Sequence, residues 1–271
     1  AAAGRYTGVL GVATSGPGNF TTNGGGQAQS FVGGHIYSSP AGTYHLRTNS
    51  AIFASYAAQN SQYGALGWPA SNETCGATGC QVIFTGGTVT WSPATGVQTV
   101  TGAINGSYAT HGRIDGALGA AAGKALIYSV NGGGSAQDFV GGYVYSSASG
   151  AFALRKNSLI FNKYSEQGSQ YGSWGWPTSN EECHDLTCEA RFTGGSIVWH
   201  QRWGLATVPG VYDAVWTANG RLSGELKNPV GQPVYYSPNG GGSALNFTGG
   251  YIYSSPAGTF ALATSSPVYQ Q

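Results

Sequence analysis

The string Phe-x-Gly-Gly occurs five times, at Phe31, Phe84, Phe139, Phe192 and Phe247, with spacings of 53, 55, 53 and 55 residues. The alternation gives a super-period of 108 residues. That interval also separates Cys75 from Cys183 and the Asn-Gly-Gly-Gly loops opened by Asn23, Asn131 and Asn239. A fixed period of this length marks a repeat architecture, in which each unit buries its apolar face against its neighbours. A chain of 271 residues built this way needs no single large core.

Each unit reads alike. A short strand ends at Phe-x-Gly-Gly, and a second strand follows, as in His35-Ile36-Tyr37 or Thr88-Val89-Thr90-Trp91. A turn such as Ser39-Pro40-Ala41-Gly42 reverses the chain into a third, alternating strand, Tyr44-His45-Leu46 or Phe152-Ala153-Leu154. Asn49-Ser50 and Asn157-Ser158 then suit helix caps. Apolar residues four apart follow them: Ile52/Tyr56, Ile104/Tyr108, Ile160/Tyr164 and Tyr212/Trp216. A glycine-punctuated loop closes the unit, as in Tyr63-Gly64-Ala65-Leu66-Gly67-Trp68-Pro69.

The fold expected is therefore an α+β repeat protein, each unit a small antiparallel sheet plus one short helix. The approximate units are 1–48 closed by 265–271, 49–101, 102–156, 157–209 and 210–264. Residues 4–11 match the closing loop of a unit, and residues 265–271 match the start of the helix before such a loop. That pairing predicts a closed five-fold, pseudosymmetric, propeller-like ring forming one domain over 1–271, since an open solenoid needs polar capping repeats.

Composition removes several function classes. Charged residues are 8% of the chain and the formal net charge is +1, so the dense basic patch of a nucleic-acid binder is missing. No run approaches about 18 apolar residues, so no membrane span is expected. The chain starts Ala1-Ala2-Ala3 and has no Met, which reads as a processed product. Cys75/Cys80 and Cys183/Cys188 each bracket a tight loop, which favours two local disulfides and an extracytoplasmic setting. The alternative is one zinc site built from both pairs.

The sequence holds no recognisable catalytic constellation. The ten acidic residues are scattered, the five histidines show no metal-ligand spacing, and there is no Gly-x-Ser-x-Gly elbow or phosphate-binding Gly-x-x-x-x-Gly-Lys loop. No cofactor is expected. The one break in repeat symmetry is Trp199-His200-Gln201-Arg202-Trp203, which stands where other units carry the Ser-Pro-Ala turn.

Aromatic residues are the better lead. Strand alternation puts Ile36, Val89, Val144, Ile197 and Ile252 on one face of the second strand, read here as the core face. The opposite face carries Tyr37, the pair Tyr143/Tyr145 and the pair Tyr251/Tyr253. A tyrosine face offers flat apolar surface with a hydroxyl at its edge, which suits a sugar ring; packing between units is the competing role. Trp68 and Trp176 of the closing loops either line a groove or wedge neighbouring repeats. The equivalent stretches Asn72-Glu73 and Asn180-Glu181 either cap local backbone or hydrogen-bond sugar hydroxyls.

The loop Gly64-Ala65-Leu66-Gly67-Trp68-Pro69, with the Phe-x-Gly-Gly string and the Ser-Pro-Ala-x-Gly turn, resembles the LGFP repeat over essentially the whole chain. Leu226-Lys227-Asn228-Pro229 departs from it by lacking the second glycine, and Leu118-Gly119-Ala120-Ala121 by lacking the proline. The resemblance implies a secreted actinobacterial wall protein, often joined to a hydrolase or mycoloyltransferase domain, that binds cell-wall polysaccharide such as arabinogalactan. The expected function is thus a noncatalytic cell-wall polysaccharide-binding domain, monomeric or fused to a catalytic domain. The alternatives are a glycan-active enzyme with a site between repeats and a protein-interaction scaffold.

Overall fold

A computed structural model of the chain describes residues 7–269. It holds five four-stranded antiparallel meanders. The first has β1 Gly18–Phe20, β2 Gly26–Phe31, β3 Gly34–Ser39 and β4 Gly42–Arg47. The second has β5 Thr74–Gly76, β6 Gly79–Phe84, β7 Gly87–Ser92 and β8 Gly96–Thr101. The third has β9 Leu126–Tyr128, β10 Gly134–Asp138, β11 Gly142–Ser147 and β12 Gly150–Arg155. The fourth has β13 Glu182–His184, β14 Thr187–Phe192, β15 Gly195–His200 and β16 Gly204–Pro209. The fifth has β17 Pro229–Tyr236, β18 Gly242–Phe247, β19 Gly250–Ser255 and β20 Gly258–Ala263. A helix follows each of the first four sheets: α1 Ala51–Ala58, α2 Gly102–Thr110, α3 Leu159–Glu166 and α4 Gly210–Ala218.

Two compact units result. One is the chain up to Leu126 with Ala136–Val144, and the other is Ile127–Ser135 with the chain from Tyr145 onward. The expected sharing of one repeat by residues 1–11 and 265–271 falls in part on residues 1–6 and 270–271, which lie outside the described residues.

The Phe-x-Gly-Gly string marks where a closing loop docks on its sheet. Thr85 N donates to Trp68 O and Gly86 N to Leu66 O, both at 2.9 Å, and Pro69 bridges Phe84. A side chain on Gly86 would strike the Ala65 carbonyl, and one on Gly87 would meet the Val100 carbonyl at 2.5 Å. The same obstruction recurs at Gly141, Gly194 and Gly249. Close approach of backbone on both sides is thus what fixes the glycine pair.

The helices are short and locally encoded. Ser50 Oγ accepts from Ile52 N and Phe53 N, and Ser158 Oγ accepts from Phe161 N, satisfying amide groups that the first turn leaves open. The pairs spaced by four point inward: Ile52, Tyr56, Ile104, Tyr108, Ile160, Tyr164, Tyr212 and Trp216 are all buried. The tyrosine hydroxyls donate to the closing loop, Tyr56 to Gly67 O at 2.7 Å, Tyr108 to Gly119 O at 2.8 Å and Tyr164 to Gly175 O at 2.7 Å. In the last helix Trp216 Nε1 does the same to Lys227 O at 3.0 Å.

The core lies between successive sheets. Tyr37 and Leu46 of the first sheet, Ile52 and Tyr56 of α1, Leu66 and Trp68 of the loop, and Val82, Phe84 and Val89 of the second sheet form one cluster. Val198 and Val208, Tyr212 and Trp216, Leu226, and Leu245, Phe247 and Ile252 form the matching cluster around α4. Fully burying a side chain such as Ile52 contributes about 1.5–3 kcal/mol. This arrangement corrects the face assignment made from alternation. The Ile/Val face of the middle strand meets the helix before its sheet, as Val89 joins Ile52 and Tyr56 and Ile252 joins Tyr212 and Trp216. Tyr37 and Tyr145 on the opposite face meet Tyr56 and Tyr164 of the helix after it, so both faces are core there. In the fifth sheet, which no helix follows among the described residues, Tyr253 stays exposed. Alternation resembles a one-sided sheet only when the other side meets water.

Candidate functional site

A solvent-open groove of about 470 Å³ lies on the first sheet, lined among others by Phe20, His35, Tyr37, Phe53, Asn60 and Tyr63. Phe20 comes from β1, His35 and Tyr37 from β3, and Phe53 from α1. Tyr63 ends a tight 3-10 turn, Ser61–Tyr63, entered through Asn60 and Ser61 at φ 67° and 49°. That turn is pinned from a distant loop. Asn23 Nδ2, on the loop between β1 and β2, donates to Gln62 O at 2.7 Å and Gly64 O at 3.0 Å.

Two ring pairs line this frame. Phe20 and Tyr63 meet edge to face with centroids 5.8 Å apart, and His35 stacks on Phe53 at 5.1 Å. Tyr63 is 54% exposed. Serine, asparagine and glutamine supply the polar lining, and among the described residues no Lys, Arg, Asp or Glu lines the groove. Partial burial holds the His35 imidazole below its ordinary value of 6.5, so the ring is neutral at pH 7. The site offers flat apolar surface and neutral hydrogen-bonding groups.

The second unit repeats the platform. Tyr128 and Tyr171 meet edge to face at 5.7 Å, Tyr171 is 63% exposed, and Asn131 Nδ2 pins the turn through Gln170 O and Gly172 O. Sequence reasoning passed over Phe20, Phe53, Tyr63, Tyr128 and Tyr171. The signal was available: Ser-Gln-Tyr-Gly occurs at both Ser61 and Ser169, while the same place holds Asp115 and Ser223 in the intervening units.

The residues singled out from the sequence fall into three groups. Tyr37 and Tyr145 are each 4% exposed. The Tyr37 ring lies edge-on to Tyr56 and Trp68 at the groove floor, and burial pushes its hydroxyl up to about 12. Tyr145 meets Tyr164 and Trp176 in the same way. Trp68 and Trp176 are buried wedges, their indole N–H groups donating to Thr22 O and Val130 O at 3.0 Å. Tyr143 is half-buried with its hydroxyl 3.3 Å from Asp138 Oδ2, whereas Tyr251 and Tyr253 stack at 5.8 Å and Tyr253 is 44% exposed.

Asn72 Oδ1 accepts from His45 N and Asn180 Oδ1 from Ala153 N, both at 2.9 Å, so each amide ties one sheet to the strand edge of the preceding one. Glu73 and Glu181 each bury one carboxylate oxygen beside a disulfide. Cys75 is bonded to Cys80 and Cys183 to Cys188, each pair directly opposed across a hairpin. Elsewhere, Asp213 and Glu189 converge on Arg221, whose guanidinium also covers Trp216 at 4.1 Å. In the turn that breaks symmetry, His200 Nδ1 accepts from Arg202 N and Trp203 N.

The LGFP repeat matches this chain over residues 10–64, 66–116, 118–172 and 175–224, well over half its length. The chain belongs to the LGFP-repeat family. Each matched copy runs from a closing loop through a sheet to the following helix. The fifth sheet, from Pro229 onward, lies beyond the matched copies. There Lys227 occupies, at φ 58°, the place that Gly67, Gly119 and Gly175 fill at 65–66°. LGFP repeats are a cell-wall-associated, noncatalytic repeat family, and the two disulfides fit an extracytoplasmic protein.

No curated protein matches the chain. Among solved structures, a streptogramin B lyase aligns at 10% identity over 93% of this chain and 70% of its own, with a TM-score of 0.15. The extracellular domain of a one-component system from B. thetaiotaomicron aligns at 12% identity over 92% and 30%, also at 0.15. Likeness this low carries no argument about fold or function. Among the described residues no helix is long and apolar enough to cross a membrane.

Proposed function

We propose that this chain is a noncatalytic module that binds neutral cell-wall polysaccharide, such as arabinogalactan, and holds a secreted protein at the envelope. The groove on the first sheet carries the reading. Its rings match the apolar faces of sugars, its amides and hydroxyls match their rims, and its described lining holds no paired carboxylates of the kind a glycosidase uses. Family membership supports the wall as the location. Tyr63 and Tyr171 are the contacts we assign first, with Tyr37 as the groove floor and Tyr251/Tyr253 as a further exposed aromatic face. Tyr143, Asn72, Glu73, Asn180 and Glu181 are second-rank contacts. Tyr145, Trp68 and Trp176 act by supporting the exposed rings.

Titration of purified arabinogalactan into the Tyr63→Ala, Tyr171→Ala double variant tests this. A ring stacked on a sugar contributes about 1 kcal/mol, so binding weakens about fivefold at each platform. Full-strength binding by a folded double variant overturns the assignment. A closed five-fold ring, monomeric or fused to a catalytic domain, is the assembly we propose. It rests on the match of residues 4–11 and 265–271 to successive parts of one unit, and a distance measured between labels near the two chain ends tests it.

A further inference from the structure

A second cavity, of about 270 Å³, is lined by Arg155, Ser158, Leu159, Glu181, Cys188 and Trp199, with the Cys183–Cys188 disulfide in its wall. Several groups converge on the two sulfurs. Arg155 Nη2 lies 3.3 Å from Cys183 Sγ and 3.5 Å from Glu181 Oε1. The Glu181 side chain is 4% exposed, and its Oε2 is buried with no hydrogen-bond partner. Glu181 brings a carboxylate oxygen within 4.8 Å of both sulfurs. The amino end of α3, capped by Ser158, opens on the same space. A buried carboxylate oxygen without a partner is costly in a merely structural role. Beside a cation and a disulfide it is placed to carry a proton.

We propose that Cys183–Cys188 is a thiol–disulfide exchange centre for a small thiol entering this cavity. The Glu181 carboxylate takes the proton of the incoming R–SH. The resulting R–S⁻ attacks Sγ of Cys188, the cysteine among the cavity's lining residues. The Cys183–Cys188 bond breaks, and its electron pair passes to Cys183 Sγ, where the Arg155 guanidinium stabilises the thiolate. Glu181 then returns the proton to Cys183. A second R–S⁻ attacks the external sulfur of the mixed disulfide and releases R–S–S–R. Its proton passes to the departing Cys188 thiolate. Two external thiols are thereby oxidised and one protein disulfide is reduced to two thiols. A cation beside the departing sulfur lowers its pKa, and a thiol of lower pKa leaves faster.

The chain contains its own control. Arg47, Glu73 and Trp91 stand at the corresponding places around Cys75–Cys80. Among the described residues, however, no hydrogen bond joins Arg47 to either sulfur of that pair. The experiment treats the folded chain with limiting 2-mercaptoethanol, quenches with acid, and follows each pair by differential alkylation and peptide mass spectrometry. Cys183–Cys188 reduces roughly tenfold faster than Cys75–Cys80, and Arg155→Gln abolishes that advantage while leaving the first pair unchanged. Glu181→Gln slows reduction at neutral pH but not at about pH 10, where the reagent is already thiolate. Equal rates for the two pairs in the native chain, or an unchanged ratio in Arg155→Gln, overturn the proposal. If Arg155→Gln accelerates both pairs together, the fold has opened and Arg155→Lys, which keeps a cation, decides: a retained ratio supports the centre and equal rates refute it.

Discussion

The second glycine of the closing loop can be tested in both directions. Gly67 sits at φ 66°, and a side chain there would strike Thr85 Oγ1. That hydroxyl accepts from Trp68 N at 3.1 Å and donates to Leu66 O at 3.3 Å, fastening the loop to its sheet. For Gly67→Ala, the left-handed backbone costs about 1–2 kcal/mol, of which the lower entropy of the unfolded alanine chain gives back about 0.4–1 kcal/mol. Displacing the Thr85 hydroxyl costs about 1 kcal/mol more. The variant is therefore expected to lose roughly 1–2.5 kcal/mol. Lys227 is the converse case, a side chain already held at φ 58°. Lys227→Gly relieves about 1–2 kcal/mol of strain and gives back about half of it as unfolded-state entropy, a net gain of roughly 0.5–1 kcal/mol. Urea unfolding followed by tryptophan fluorescence reads both, because Trp68 and Trp216 are buried beside the two sites. A loss below about 0.5 kcal/mol for Gly67→Ala, or a loss of stability for Lys227→Gly, refutes the reasoning, since such values match ordinary surface substitutions.

Two further outcomes follow from the same packing. Tyr164→Phe leaves the Gly175 carbonyl without its 2.7 Å donor in a buried site and is expected to cost about 1–3 kcal/mol, measured by the same unfolding assay. His35 is held below 6.5 by burial, so the unfolded chain takes up that proton first as the solution is acidified; stability is full above about pH 6.5 and falls as pH drops through that value, and His35→Gln should flatten this stretch of the stability–pH curve.

The sequence by itself determined whatever repeats. The five Phe-x-Gly-Gly strings, the Ser50 and Ser158 caps and the helix pairs such as Ile52/Tyr56 each carry a local reason that does not depend on the neighbouring unit. The cysteine pairs were legible for the same reason, since both partners of each bridge sit in one hairpin. The outer strands β1 and β9 were not legible, because a run of three residues such as Gly18–Phe20 is too short to carry a period, and β17 was not because its pairing shifts register between Val230 and Val234. Tertiary structure alone decided which aromatic rings meet solvent. Tyr37 and Tyr145 share a strand face that alternation reads as open, yet the helix that follows each sheet lies over it, with Trp68 or Trp176 wedged alongside. Tyr63 and Tyr171 belong to a turn whose sequence says nothing of exposure; Asn23 and Asn131, some forty residues away, hold that turn at the groove edge. Burial depends on what packs against a residue from elsewhere in the chain, and periodicity within one strand records only which side it points to.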